Sequence, residues 1–192
     1  MKKLLFGVSM IFLLSITAAA QDYPKAEWSL GYSFVRFNST SDVPAFTAQG
    51  GSTSVAYNIN KAIGIVGEFG GYHNGKIGDL QLDNTTYTYL VGPRFTYRKE
   101  SMAPFFHVLL GGAHATGSVE NLLPPPDRLE ATRNSFAMAV GAGIDFKLSR
   151  HFALRPIQAD YLLTQFGGQL TGGGKQNNFR YTGGIVFLFG GK

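Results

Sequence analysis

Apolar and polar positions alternate with a period of two in eight separate stretches of this chain, and no stretch carries a strong helical period. The first sets Trp28, Leu30, Tyr32 and Phe34 against Ser29, Gly31 and Ser33. The second sets Thr53, Val55 and Tyr57 against Ser52, Ser54, Ala56 and Asn58, and the third Ile63, Ile65 and Phe69 against Gly64, Val66 and Glu68. In the fourth, Tyr87, Tyr89, Val91, Pro93, Phe95 and Tyr97 oppose Thr86, Thr88, Leu90, Gly92, Arg94 and Thr96. The fifth opposes Phe106, Val108 and Leu110 to Phe105, His107 and Leu109, and the sixth Phe136 through Phe146 to Ser135 through Asp145. The seventh is less regular, with Ile157, Ala159, Tyr161 and Leu163 against Gln158, Asp160 and Leu162. The eighth sets Phe179, Tyr181, Ile185, Phe187 and Phe189 against Asn178, Arg180, Thr182, Gly184 and Val186. Eight β-strands are predicted.

The connections alternate in length. Short turns are expected at 58–61, 98–102 and 147–151, and long loops at 38–49, 72–84, 116–133 and 164–175. Short turns on one side and long loops on the other are the pattern of an outer-membrane barrel, with both chain ends on the short-turn, periplasmic side. Closure pairs every backbone group and leaves no edge in lipid. Pro93 and Pro156 fall inside predicted strands, where each removes a ladder donor; a bulge near the rim is expected at both, which leaves the side taken by Arg155 open.

The polarity of the faces chooses the solvent. One face is large and apolar, with aromatics toward its ends, and the other is Gly, Ala, Ser and Thr with scattered charges. A soluble barrel packs its large residues inside, so the arrangement is inside out for water. Trp28, Tyr57, Tyr97, Phe146 and Phe189 fall near the short-turn rim, where an aromatic girdle belongs.

Composition agrees. Charged residues make up 15% of the chain against the ~25% usual in soluble domains. Glycine supplies 25 of 192 residues, aromatics 14%, and cysteine is absent, which excludes disulfides and thiolate chemistry. A mean hydropathy of +0.01 is too low for a helical membrane bundle. Residues 1–20 read as a cleaved secretory signal, with Lys2 and Lys3 ahead of an apolar run that ends in Ala18-Ala19-Ala20. That leaves 21–192 as one barrel domain. Those two lysines contribute to the net charge of +5, and no basic stripe suggests nucleic acid.

Candidate chemistry sits on the small-residue face: Glu68, Arg94, His107, Asp145, Asp160 and Arg180. Counted from the short-turn ends, Glu68 and Arg94 lie about one ladder step of ~3.3 Å apart, and Asp160 and Arg180 at similar height. Buried charges need partners, so the expected pairs are Glu68–Arg94, with His107 beside it, and Asp160–Arg180. Such a lumen acts as a polar plug, or as a narrow pore if pairs can exchange. For an enzyme, His107, His114, Ser118, Glu120, Ser135 and Asp145 are the candidates. Ser135 and Asp145 stand ten residues apart, about 33 Å along one strand. The four histidines have no metal-ligand spacing, and no cofactor is expected. Gly172-Gly173-Gly174-Lys175 lacks the spacing of a phosphate loop and reads as a flexible loop. Leu122-Leu123-Pro124-Pro125-Pro126 reads as a stiff loop tip suited to a partner contact.

The last strand, Thr182-Gly183-Gly184-Ile185-Val186-Phe187-Leu188-Phe189, resembles the C-terminal signal of outer-membrane barrels. Thr182, Gly184, Phe187 and Phe189 occupy its polar, glycine and aromatic positions, and the chain runs three residues further. With the strand count, Gly92-Pro93-Arg94-Phe95 and Ala159-Asp160-Tyr161, the chain from residue 21 resembles the OmpA-like transmembrane domain, the small eight-stranded outer-membrane barrels. The resemblance implies an all-β, eight-stranded antiparallel transmembrane barrel in the bacterial outer membrane, with a plugged lumen and a structural or surface-interaction role. A pore for small solutes or ions and a lipid A-modifying enzyme are the alternatives, although the His-x-Ser-Asn arrangement of the deacylases is replaced here by His114-Ala115-Thr116-Gly117-Ser118. The expected partners are outer-membrane lipid, the assembly machinery and an extracellular ligand at the loops, with a monomeric chain. No peptidoglycan-binding domain is expected after the last strand.

Overall fold

Each alternating stretch becomes a strand because one of its faces meets lipid and the other a filled interior. The computed structural model describes residues 22–38, 45–74, 82–119, 129–165 and 175–191. The predicted signal at 1–20, the Pro-rich tip at 122–126 and Glu120 lie outside them. The strands are β1 (Ala26–Phe37), β2 (Phe46–Asn58), β3 (Ile63–Asn74), β4 (Leu82–Thr96), β5 (Met102–Val119), β6 (Leu129–Lys147), β7 (Phe152–Gln165) and β8 (Lys175–Phe189). Each pairs antiparallel with the next, and β8 pairs back onto β1 from Ala26↔Phe189 to Phe37↔Asn178, closing the barrel.

The predicted outer face is the exposed one: Trp28, Leu30, Tyr32, Phe34, Val55, Tyr57, Tyr89, Phe106, Phe136, Tyr181 and Phe189 all project outward. The short connections fall at 59–62, 97–101 and 148–151. The long ones are shorter than predicted. Pairing of β5 with β6 continues to Val119↔Leu129, into the expected 116–133 loop, and β2 starts at Phe46 rather than after 49. Beyond the lipid a ladder needs hydrogen bonds but no apolar face, so hydrophobic alternation stops before the strands do.

The two prolines differ. β7 carries one residue more than either neighbour around Pro156: its register shifts between Ile144 and Phe146 against β6, and between Arg155 and Gln158 against β8. Pro156 and Ile157 both turn outward, so Arg155 and Gln158 both face the lumen. At Pro93 the expected bulge is absent. Pairing of β4 with β5 lapses between Val91↔Leu110 and Arg94↔His107 and resumes in the same register. The strands draw together instead at Gly92, where a Cβ would stand 2.0 Å from the Val108 carbonyl oxygen.

The interior has two storeys. Toward the long-loop end it is mainly apolar, filled by Val35, Phe37, Phe46, Leu109 and Leu162, with Phe37 and Phe46 stacked at 4.7 Å and Asn178 beside them donating to Thr164 at 3.2 Å. Below it lie the charges.

Candidate functional site

An eight-stranded barrel leaves an interior that side chains can fill, and here long polar ones fill the lower storey. Near the short-turn rim, Glu27 is buried between two guanidinium groups. Arg94 donates to its Oε2, Arg98 Nη2 to its Oε1 at 2.5 Å, and Asn58 Nδ2 to the same Oε1 at 2.8 Å. Above this, Arg155 grips Asp145 with a two-pronged fork, Nε to Oδ1 at 2.6 Å and Nη2 to Oδ2 at 2.9 Å. The Phe105 ring lies between the two levels, 4.5 Å from the Arg155 guanidinium and 5.4 Å from that of Arg94. Such cation–π contacts suit guanidinium groups withdrawn from water.

The upper level centres on Arg180. Its Nε donates to Asp160 Oδ2 at 2.8 Å and its Nη1 to the Tyr72 hydroxyl at 2.9 Å. Nη1 also lies 2.6 Å from Glu68 Oε1, and Nη2 lies 2.7 Å from Asp160 Oδ2. His107 Nε2 is 2.7 Å from Asp160 Oδ1. Gln158 joins the levels: its carbonyl accepts from Arg155 at 3.0 Å, while its amide donates to Asp160 at 3.0 Å and Glu68 at 3.3 Å. Gly141 makes room, since a Cβ there would stand 1.9 Å from Asp160 Oδ1.

All eight strands contribute: Glu27, Asn58, Glu68 and Tyr72, Arg94, His107, Asp145, Arg155 with Gln158 and Asp160, and Arg180 belong to β1 through β8 in turn. Four carboxylates face four guanidinium groups, which meets the requirement that buried charges be paired. The space left beside Glu68, Arg155, Gln158 and Thr182 is about 10 Å³, the scale of one water.

Asp160 and Arg180 meet as the register of adjacent strands suggests. Glu68 and Arg94 do not meet. Glu68 stands opposite Leu90 and Arg94 opposite Gly64, four residues or about 13 Å along the ladder. β3 begins at Ile63, opposite Phe95, and β4 ends at Thr96, so counting Arg94 upward from Tyr97, which belongs to the turn, misplaced it. Its partner Glu27 lies one residue before the first predicted segment, in phase with Ser29, and extending the alternation by that residue would have found it. His107 accordingly joins the Asp160–Arg180 level. Gln158 faces inward with Asp160, as the alternation predicts, whereas Arg155 could not be placed without the bulge.

Of the residues considered for catalysis, His114 Nδ1 contacts Asn134 Oδ1 at 2.7 Å near the opposite rim, far along β5 from His107. Ser135 Oγ is buried without a partner. Among the described residues no serine hydroxyl bonds to His107, and no group of three or more His, Asp or Glu could hold a metal. In β8, Thr182 turns inward and its hydroxyl shares a 2.8 Å hydrogen bond with Ser33 Oγ. Gly184 stands opposite Gly31, Phe187 stacks on Trp28 at 5.2 Å, and Phe189 is exposed.

A closed eight-stranded barrel, apolar outside and charge-paired inside, is the architecture of a small membrane-spanning β-barrel. The sequence profile described as "Outer membrane protein beta-barrel domain" matches residues 6–187, and the chain belongs to that family. It is an outer-membrane β-barrel protein, located in the bacterial outer membrane. Among solved structures, the attachment invasion locus protein Ail of Yersinia pestis is 20% identical, with a TM-score of 0.63, over 87% of this chain and 99% of that one. Neisserial surface protein A is 12% identical, with a TM-score of 0.59, over 86% and 97%. OprG of Pseudomonas aeruginosa is 12% identical, with a TM-score of 0.52, over 88% and 98%. These likenesses show the fold. No curated protein matches the chain in sequence.

Proposed function

We propose that the barrel is a closed, non-conducting scaffold whose role is exercised at its long-loop end, as a surface-interaction protein rather than a channel or an enzyme. The observation that carries this reading is the charge-paired lumen to which every strand contributes. An ion could pass only by separating Arg180 from both Glu68 and Asp160, and it would then meet the apolar storey around Phe37 and Leu109. The Yersinia pestis protein is named for attachment and invasion and the neisserial protein for the surface, in keeping with a contact at the long-loop end.

Planar-bilayer recording is the direct test. The folded chain should give no discrete conductance steps; steady openings would replace this reading with that of a narrow pore. A binding arm tests the loops. Sucrose octasulfate, the heparin analogue bound in one Yersinia pestis Ail structure, serves as the first probe, compared between the intact chain and one with 166–174 replaced by a Gly-Ser linker. Lipid A incubated with the folded chain should release no fatty acid.

Two further parts of the proposal concern assembly. Thr182, Gly184, Phe187 and Phe189 serve as the recognition signal for the assembly machinery, and the barrel works as a monomer. Alanine at Phe189 should slow assembly in cells while leaving spontaneous folding into detergent intact.

A further inference from the structure

The short-turn rim repeats one device. In the β2–β3 turn, the Ile59 and Asn60 amides donate to the Ile63 carbonyl at 2.9 and 3.1 Å, while Asn60 Oδ1 accepts from the Ala62 and Ile63 amides at 2.8 Å each. In the β6–β7 turn, the Leu148 and Ser149 amides donate to the Phe152 carbonyl at 3.0 Å, and Ser149 Oγ accepts from the His151 and Phe152 amides at 3.2 and 3.1 Å. Each turn is thus stiffened by its own polar side chain. Each holds out an aliphatic group, Ile59 or Leu148, with a cation two residues on, Lys61 or Arg150. The β4–β5 turn does the same with Tyr97 and Lys99, whose amine lies 5.5 Å from the Tyr97 ring. Leu148 and Tyr97 are 69% and 66% exposed, more than any other large apolar side chain described.

Charge at this rim is one-sided. Among the described residues, Lys25, Lys61, Lys99, Lys147 and Arg150 face Asp22 and Glu100, while Glu27 is already engaged by Arg94 and Arg98. The lysine amine of Lys25 lies 4.9 Å from the Tyr57 ring, at the level of the aromatic girdle. Tyrosines of such girdles sit at lipid-headgroup depth, so these cations sit there too. We infer that the short-turn rim is a collar for anionic glycerophospholipids of the periplasmic leaflet. Its turns press apolar side chains among the upper acyl segments and hold cations at the phosphate level. The cations are spread over three turns and the N-terminal entry, each beside an apolar group at the border of the lipid-facing band. An acidic protein partner would instead favour a patch gathered on one side.

Trp28, the chain's single tryptophan, lies at this rim and is exposed to lipid, so it reports the local lipid directly. The chain would be folded into phosphatidylcholine vesicles carrying a fixed minor fraction of brominated phosphatidylglycerol or brominated phosphatidylcholine. The expected result at low salt is preferential quenching of Trp28 by the anionic lipid, with a relative association of about fivefold for a neighbouring cation. High salt should bring the ratio toward one, as screening requires. The combined variant Lys25→Gln, Lys61→Gln, Lys99→Gln, Lys147→Gln, Arg150→Gln should also bring it toward one, with heat-modifiable gel mobility as the check on its fold. Equal quenching by the two lipids in the unmodified chain at low salt overturns the inference and leaves the turns to an acidic protein. A preference that persists in the folded variant, or in high salt, overturns it as well. The salt series on the unmodified chain decides even if the variant does not fold.

Discussion

Arg180 is the side chain whose loss should cost the barrel most. It is fully buried and holds Glu68 and Asp160 together through contacts of 2.6, 2.7 and 2.8 Å. Arg180→Leu keeps much of the volume but leaves two carboxylates sharing a site without their common cation. At an effective dielectric near 20, each such pair is worth about 4 kcal/mol at 4 Å before desolvation is subtracted. Removing one partner of a buried pair costs about 3–5 kcal/mol in practice. With a urea slope of about 1–3 kcal/mol per M, the unfolding midpoint should fall by roughly 1–5 M. The triple variant Arg180→Leu, Glu68→Gln, Asp160→Asn removes the uncompensated charge and should recover most of that loss, because neutral replacement of a whole buried ion group is often tolerated. Urea unfolding of the three chains in the same vesicles, followed by Trp28 fluorescence and gel mobility, makes the comparison. A single variant within about 0.5 kcal/mol of the unmodified chain, the range of surface substitutions, would refute the reasoning. So would a triple variant no more stable than the single one.

Other perturbations test other parts of the interior. Glu27→Ala leaves Arg94 and Arg98 without the carboxylate they share and should cost about 3 kcal/mol, read as a lower urea midpoint. Gly141→Ala places a Cβ against the Asp160 carboxylate and the Ala159 carbonyl, and overpacking of this kind should cost about 1–3 kcal/mol in the same assay. Deleting Pro156 removes the one extra residue that β7 carries against both neighbours, so the ladder becomes regular while Arg155 still faces Asp145. That deletion should yield a heat-modifiable barrel; a chain that cannot fold would show that the bulge itself is required.

The strand count, the two faces and the alternation of short and long connections were legible in the sequence because each is local. A strand between lipid and a filled interior must change character at every residue, whatever its neighbours do. Strand ends were less legible. β5 and β6 pair out to Val119↔Leu129, where hydrogen bonding continues without an apolar face to mark it. Phe37 and Phe46, which help to fill the apolar storey, lay on positions expected to be loop or loop border.

The charged interior divides along the same line. Which residues turn inward follows from parity, as it does for Glu68, Arg94, His107, Asp145, Asp160 and Arg180. Which of them touch depends on register around the whole barrel. Glu68 crosses to Arg180 rather than to the neighbouring strand's Arg94, and Arg94 reaches back to Glu27. One extra residue at Pro156 decides that both Arg155 and Gln158 point inward. A membrane barrel and its inner face follow from the order of residues, because period-two alternation is a property of each strand alone. Beyond the Asp160–Arg180 pair of adjacent strands, the ion pairs were set by the closed barrel, because shear and a bulge fix the relative height of strands and leave no mark on any one of them.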